Sequence, residues 1–311
     1  MKPAPFEYLA VDSVEEAVAA LARFEGNARC LAGGQSLVPL LNMRLVRASA
    51  IVDLNRIPGL DRVDGATGVA ARPATADHRG DGAVSLGALV RYSVLESSAP
   101  VRERLPLLAR AVPLVGDRQI RNRGTLGGAL CHADPSGEMA LAAAVLGATL
   151  HVTGPAGPRT IEAADFFLGP YTTALGPADV LVGIALPDHG RAATAVLEHT
   201  RRHGDFAVVS VAAVAEPAPD GMWHRVRLGL GGVADRPVIA RRAAGLLEGT
   251  RLESEAVRAA GEAALGECDP GSDIRASAEY RCHLIPLYVE RALGALRTER
   301  EGGAARAHGA R

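Results

Sequence analysis

Two clusters of glycine carry the residues best suited to chemistry. The longer runs from Val115 to Ala148 as VGDRQIRNRGTLGGALCHADPSGEMALAAAVLGA. It places Arg118, Arg121 and Arg123 in a polar loop and tightens at Gly124-Thr125-Leu126-Gly127-Gly128. It then turns at Asp134-Pro135-Ser136-Gly137 into an alanine-rich helix. Glycines this close together let main-chain N–H groups point the same way and approach a ligand with no Cβ between. Such a nest binds an anion, and a dinucleotide pyrophosphate is the common anion needing a long main-chain cradle. The shorter cluster, Leu31-Ala32-Gly33-Gly34-Gln35-Ser36-Leu37, lies about ninety residues earlier. There an apolar strand over 28–32 runs into paired glycines, a hydroxyl and a segment with Pro39 where a helix can begin. A tight turn explains either cluster taken singly. The pair, each leaving a strand or opening a helix, is better explained by a cofactor cradle.

The elements that must position these loops follow from pattern. Ser13-Val14-Glu15-Glu16 is a capping box before a short amphipathic helix. A helix to about Leu45 should follow the first glycine loop, then a strand over 50–54. Helices fit 90–97 and 101–112, and strands fit 148–153, 159–162 and 180–186. The stretch 77–82, rich in glycine and aspartate, is expected as an exposed loop tip. Beyond Pro187 the pattern changes: 193–200, 207–215 and 222–231 alternate like antiparallel strands of one sheet. Helices over 238–248, 254–264 and 277–296 close the chain. The expected organisation is therefore a cofactor domain over 1–187, a smaller domain over 188–296, and a charged, glycine- and alanine-rich tail over 297–311 without order.

Composition narrows the function. The chain has 311 residues, 48% of them hydrophobic, which suffices for a full core and two domains. Lys and Arg number 34 against 35 Asp and Glu, a balance unsuited to nucleic acid or a membrane surface. No apolar run approaches the roughly 20 residues of a membrane span. The opening MKPAPFEYLAVDS has no secretion-signal pattern, and Cys30, Cys131, Cys268 and Cys282 are scattered without a C-x-x-C pair. The expected location is the cytoplasm, with reduced thiols and no zinc or iron–sulfur site on this chain.

Other motifs fall to simpler explanations. Gly229-Leu230-Gly231-Gly232-Val233-Ala234 fits a dinucleotide fingerprint formally, but Asp235-Arg236-Pro237 follows before a helix can start. A glycine-rich strand end is expected instead. His199-Thr200-Arg201-Arg202-His203 spaces two histidines as metal-binding helices do, yet it lies in an expected strand and holds two cations. Gly34-Gln35-Ser36-Leu37-Val38 lacks the last glycine of a nucleophile elbow, so Ser36 is expected to donate to phosphate or sugar. Three arginines beside a nest favour an anionic ligand or a partner's acidic surface. Phe206, one of five phenylalanines, follows Gly204-Asp205 and could cover a flat ring.

Taken in order, these segments resemble the FAD-binding medium subunit of molybdenum hydroxylases. That group includes the flavoprotein subunit of carbon monoxide dehydrogenase and the flavin domain of xanthine dehydrogenase. The resemblance covers about 6–296 and rests on AGGQSL (32–37), IRNRGTLGG (120–128), ADPSGE (133–138), DFFLGPYTT (165–173), RRHGDFA (201–207) and EYRCHL (279–284). It implies an α+β fold: a two-part FAD-binding domain of the vanillyl-alcohol-oxidase type, then a smaller domain with an antiparallel sheet and C-terminal helices. It also implies that Ala32, Gly33, Gly34, Gln35 and Ser36, with Gly124, Thr125, Leu126, Gly127, Gly128 and Ala129, hold the FAD pyrophosphate without a covalent link. By the same resemblance Glu138 meets the cofactor's sugar side, Leu181 borders the flavin and Phe206 lies over the isoalloxazine. Ala129 stands where relatives often carry asparagine, so only its main chain can contribute. Glu138 stands where aspartate is commoner and is one methylene longer.

The function so implied is electron transfer. A large molybdenum-cofactor subunit would oxidise substrate, [2Fe–2S] clusters on a small subunit would relay electrons, and FAD here would pass them to NAD, oxygen or a quinone. A heterotrimer is implied, with no catalytic or metal-ligating residue on this chain. The alternatives are a stand-alone flavin-dependent oxidase or dehydrogenase of a small molecule, and a scaffold that has lost FAD.

Overall fold

The computed structural model describes residues 2–64 and 82–308. The expected loop tip at 77–82 lies outside the described residues except for Gly82. Two compact units divide the chain: Met1–Val101, Asp117–Ala133 and Gly147–Asp188 form the first, and Arg102–Gly116, Asp134–Leu146 and His189–Arg311 the second. The chain therefore crosses between units five times, where the sequence pattern led us to expect one crossing near Pro187. Pattern marks elements along the chain; which core each element joins depends on its neighbours in space.

The first unit opens with a three-stranded parallel sheet, Glu7–Ala10, Ala50–Asp53 and Ala28–Leu31, with Ala50–Asp53 in the middle. Helix Val14–Arg23 follows the first strand, and the Ser13 hydroxyl accepts from the Glu16 N–H at 3.1 Å as the capping box requires. Ala17 and Leu21 from its apolar face pack with Ala50, Val52 and Val180 in one core. A five-stranded antiparallel sheet completes this unit, in the order Val63–Asp64, Val84–Gly87, Val180–Leu186, Thr149–Gly154, Gly157–Glu162.

The second unit carries the expected antiparallel sheet, Ala193–His199, Val209–Pro217 and Trp223–Gly231, with Val238–Ile239 at its edge. Helix Glu138–Leu146 is buried at every position, as the unbroken apolar run over 139–146 requires, with Glu138 the one charged group in it. It packs on the sheet at Gly229, where a Cβ would come within 2.3 Å of Val145 Cγ2. The glycines at 229–231 thus end a strand, as expected, and Gly229 admits the helix.

Several local expectations differ. The arginine segment forms a helix, Arg118–Arg123, because the Asp117 carboxylate caps it by accepting from Ile120 N–H at 2.8 Å. The expected 101–112 helix breaks into Ala99–Arg104 and Pro106–Ala111, since the residue before a proline is driven out of helical geometry. The helix after the first glycine loop is short, Leu37–Asn42. Residues 238–239 form an edge strand, and the helix begins at Arg241. The final helix, Ala278–His308, runs past Arg297 into the expected tail. Glu299 holds it down, pairing with Arg110 and accepting from the Thr194 N–H at 2.8 Å.

Candidate functional site

The first glycine loop leaves the carboxyl end of strand Ala28–Leu31 and enters helix Leu37–Asn42. Gly34 takes φ +74°, a conformation glycine adopts without strain. Gln35 Nε2 donates to the Gly33 carbonyl at 3.2 Å, and Val38 N–H returns to the Gly34 carbonyl at 3.0 Å. Among the described residues, the main-chain N–H groups of Gly33, Gly34, Gln35 and Ser36 have no protein acceptor. Four consecutive unpaired amides on a partly buried loop are costly unless something anionic or water completes them. At the end of a parallel strand, amides so exposed can receive an anion.

The second loop lies directly against the first. A Cβ on Gly33 would fall 2.1 Å from the Arg123 carbonyl oxygen, and one on Gly128 would come 3.6 Å from Ala32 Cβ. Its amides behave differently from expectation. Gly124 N–H donates to Ile120 O at 2.7 Å, Leu126 to Val90 O at 3.0 Å, Gly127 to Ala88 O at 2.8 Å and Ala129 to Thr125 O at 3.1 Å. The Gly128 N–H goes to Thr125 Oγ1 at 3.1 Å, capping helix Leu126–His132. These glycines are therefore needed for packing: a Cβ on Gly124 would enter the Tyr92 ring at 2.6 Å, and one on Gly127 would meet Ala88. The sequence led us to expect two open nests. The structure has one open nest and one internally bonded wall beside it.

Side chains that sequence reasoning missed tie the loops together. Asn55, just past strand Ala50–Asp53, donates Nδ2 to the Ala32 carbonyl at 2.9 Å. Arg91 donates one guanidinium nitrogen to Asn55 Oδ1 and the other to the Arg123 carbonyl. Burial and the nearby Arg123 push the Arg91 pKa below its usual value. Tyr8 donates its hydroxyl to Asp53, whose Oδ1 accepts the Asn55 N–H at 2.9 Å. Burial pushes the Asp53 carboxyl up, but these hydrogen bonds outweigh it and hold its pKa low. No motif marks Arg91 or Asn55; only the fold brings together positions this far apart in the chain.

Leu181 is buried in strand Val180–Leu186, opposite Val152 and next to a bulge. In the second unit Glu138 opens helix Glu138–Leu146 and is buried. Burial pushes its carboxyl up to about 7, with Asp134 adding to the rise, while its own main-chain N–H opposes it. Glu198, which the sequence did not single out, is likewise raised to about 7 by burial and by Glu138. Its Oε2 has no partner among the described residues. Each carboxyl is therefore partly protonated near neutrality.

Phe206 is 39% exposed and lines a cavity of about 310 Å³ with Arg201, Asp205, Val208, Ile274 and Arg275. The Arg275 guanidinium sits 5.1 Å from the Phe206 ring centroid, and Arg201 holds the Arg275 carbonyl at 2.5 Å. Arg281, from the EYRCHL segment, is buried and donates to Val208 O at 2.7 Å, to Gly232 O and to Asp273 Oδ1 at 2.7 Å. It thereby fixes both walls of the cavity. His199 stands between Tyr288, 2.9 Å from Nδ1, and Tyr280, 3.1 Å from Nε2, so both ring nitrogens are engaged.

Comparisons with known proteins show the family. Residues 4–189 match the FAD binding domain in molybdopterin dehydrogenase, and 195–296 match the CO dehydrogenase flavoprotein C-terminal domain. The chain is 37% identical over 300 residues to the carbon monoxide dehydrogenase medium chain of Hydrogenophaga pseudoflava, covering 95% of this chain and 98% of that one. It is 35% identical over 295 residues to subunit alpha of the 6-hydroxypseudooxynicotine dehydrogenase complex of Paenarthrobacter nicotinovorans, covering 94% and 95%. Among solved structures, carbon monoxide dehydrogenase from H. pseudoflava superposes with a TM-score of 0.88 at 36% identity, covering 96% of this chain and 99% of that chain. Quinoline 2-oxidoreductase from Pseudomonas putida 86 does so with 0.86 at 34%, covering 96% and 99%.

Proposed function

Because the chain belongs to the family of FAD-binding flavoprotein subunits of molybdopterin dehydrogenases, we propose that it is the FAD-carrying electron-transfer subunit of a multi-subunit molybdenum hydroxylase. The observation that carries this reading is the run of unpaired amides at 33–36, held against the wall at 124–129 within one unit. Bound FAD supplies exchange of one and two electrons; the protein supplies position and electrostatics.

In this reading the amides of Gly33, Gly34, Gln35 and Ser36 hold the pyrophosphate, with the Ser36 hydroxyl as a further donor. Ala32, Gly124, Thr125, Leu126, Gly127, Gly128 and Ala129 shape the surface it lies on. By resemblance, Glu138 meets the sugar side, Leu181 borders the flavin and Phe206 covers its face. Electrons arrive from [2Fe–2S] clusters on a small partner subunit, supplied by a large molybdenum-cofactor subunit, and leave to NAD, oxygen or a quinone. The relatives support the subunit reading through their names: a medium chain of carbon monoxide dehydrogenase and a subunit of a 6-hydroxypseudooxynicotine dehydrogenase complex. A cytoplasmic location accords with this, and among the described residues no helix is long and apolar enough to cross a membrane.

The test is reconstitution of the full-length chain with FAD. A yellow protein with one noncovalent FAD per chain, released intact by acid, is expected. A chain that stays colourless in excess FAD overturns the reading. Co-purification with a cysteine-rich small subunit and a molybdenum subunit is expected from the native source; turnover of a small substrate by the isolated chain would favour a stand-alone oxidase instead.

A further inference from the structure

The geometry points to Arg91 as a positioning residue: with Asn55 it clamps the two glycine loops at the spacing that the cofactor's diphosphate requires. This rests on the FAD reading above. Among the described residues, no main-chain hydrogen bond joins 32–36 to 123–129. The polar link between them is made by side chains: Ala32 O to Asn55 Nδ2, Asn55 Oδ1 to one Arg91 nitrogen, and the other Arg91 nitrogen to Arg123 O. Arg91 also meets the second loop through its backbone, bridging to Thr125. A planar guanidinium with donors in a fixed fork sets the separation of two acceptors, which a lysine ammonium cannot do.

The clamp has a physical purpose. Loop contacts at Gly33 are steric and set only a lower bound on the separation. Without the clamp the first loop is free to lift from the wall, and ordering it would then oppose cofactor binding. Arg91 donates to neutral acceptors, and its charge stands near that of Arg123 and near the carboxylates of Asp53 and Asp61.

The experiment measures FAD and ADP binding to the full-length apo chain for wild type, Arg91→Gln, Arg91→Lys, Asn55→Ala and the double variant Arg91→Gln/Asn55→Ala. Arg91→Gln should weaken both ligands by about tenfold or more, in the range of a lost charge-assisted hydrogen-bond pair. Arg91→Lys, which keeps the charge and loses the fork, should stay nearer to Arg91→Gln than to wild type. The double variant should bind no worse than Arg91→Gln alone, because both residues belong to one link. The 31P resonances of bound FAD should shift in Arg91→Lys while its apo melting temperature stays within about two degrees of wild type, under ~1 kcal/mol. If Arg91→Gln does not fold, Arg91→Lys and Asn55→Ala carry the same comparison. FAD affinity within twofold of wild type in these variants, or additive losses in the double variant, overturns the clamp. A wild-type chain that binds neither FAD nor ADP overturns the functional reading instead.

Discussion

Gly33 and Arg123 approach so closely that any side chain at Gly33 would stand 2.1 Å from the Arg123 carbonyl oxygen. Ninety residues apart in sequence, the two glycine loops thus share one contact surface, and the unpaired amides of the first lie beside the wall made by the second.

Gly33→Val should separate the loops. The obstacle is backbone, which cannot swing aside as a flexible side-chain end can, so destabilisation at or above ~1–3 kcal/mol is expected. FAD per chain after reconstitution should fall well below one, read from the absorbance ratio of flavin to protein. Wild-type FAD content in this variant would show that the contact is irrelevant to the cofactor.

Thr125→Ala removes the hydroxyl that accepts the Gly128 N–H and caps helix Leu126–His132. Loss of such a cap costs about 0.5–2 kcal/mol. Urea unfolding of the apo chain should show a lower midpoint at unchanged slope, and Thr125→Ser should recover most of it.

Gly229→Ala tests the reading of the glycine-rich stretch at 229–232. Its Cβ would press on Val145 and Leu141 of the buried helix, costing about 1–3 kcal/mol of stability. A variant as stable as wild type would contradict the close packing of helix on sheet.

Glu138 and Glu198 predict a pH dependence. Both carboxyls are raised by burial from an ordinary value of 4.5 to about 7, so the folded chain binds more protons than the unfolded one between these values. Their contribution is therefore full below about 4.5 and is lost as pH rises through about 7. Glu198→Gln, neutral at every pH, should flatten this part of the stability profile in chemical denaturation between pH 5 and 8. An unchanged slope in that variant would exclude Glu198 as a contributor.

Sequence alone determined much here, because its signals are local. Capping residues, glycine pairs and apolar periodicity depend on neighbours a few positions away, which is why helix Val14–Arg23, strand Val180–Leu186 and the antiparallel sheet of the second unit were legible. The ordered motifs likewise named the family and its cofactor. Tertiary structure decided what the glycines do. Whether an amide is free depends on which carbonyl lies opposite: among the described residues those of Gly33 to Ser36 meet none, while Gly124 and Gly127 meet Ile120 and Ala88. The Arg91–Asn55 link and the Glu138–Glu198 pair were equally invisible, since hydrogen bonds and shared burial between distant positions arise only when the chain has folded around them.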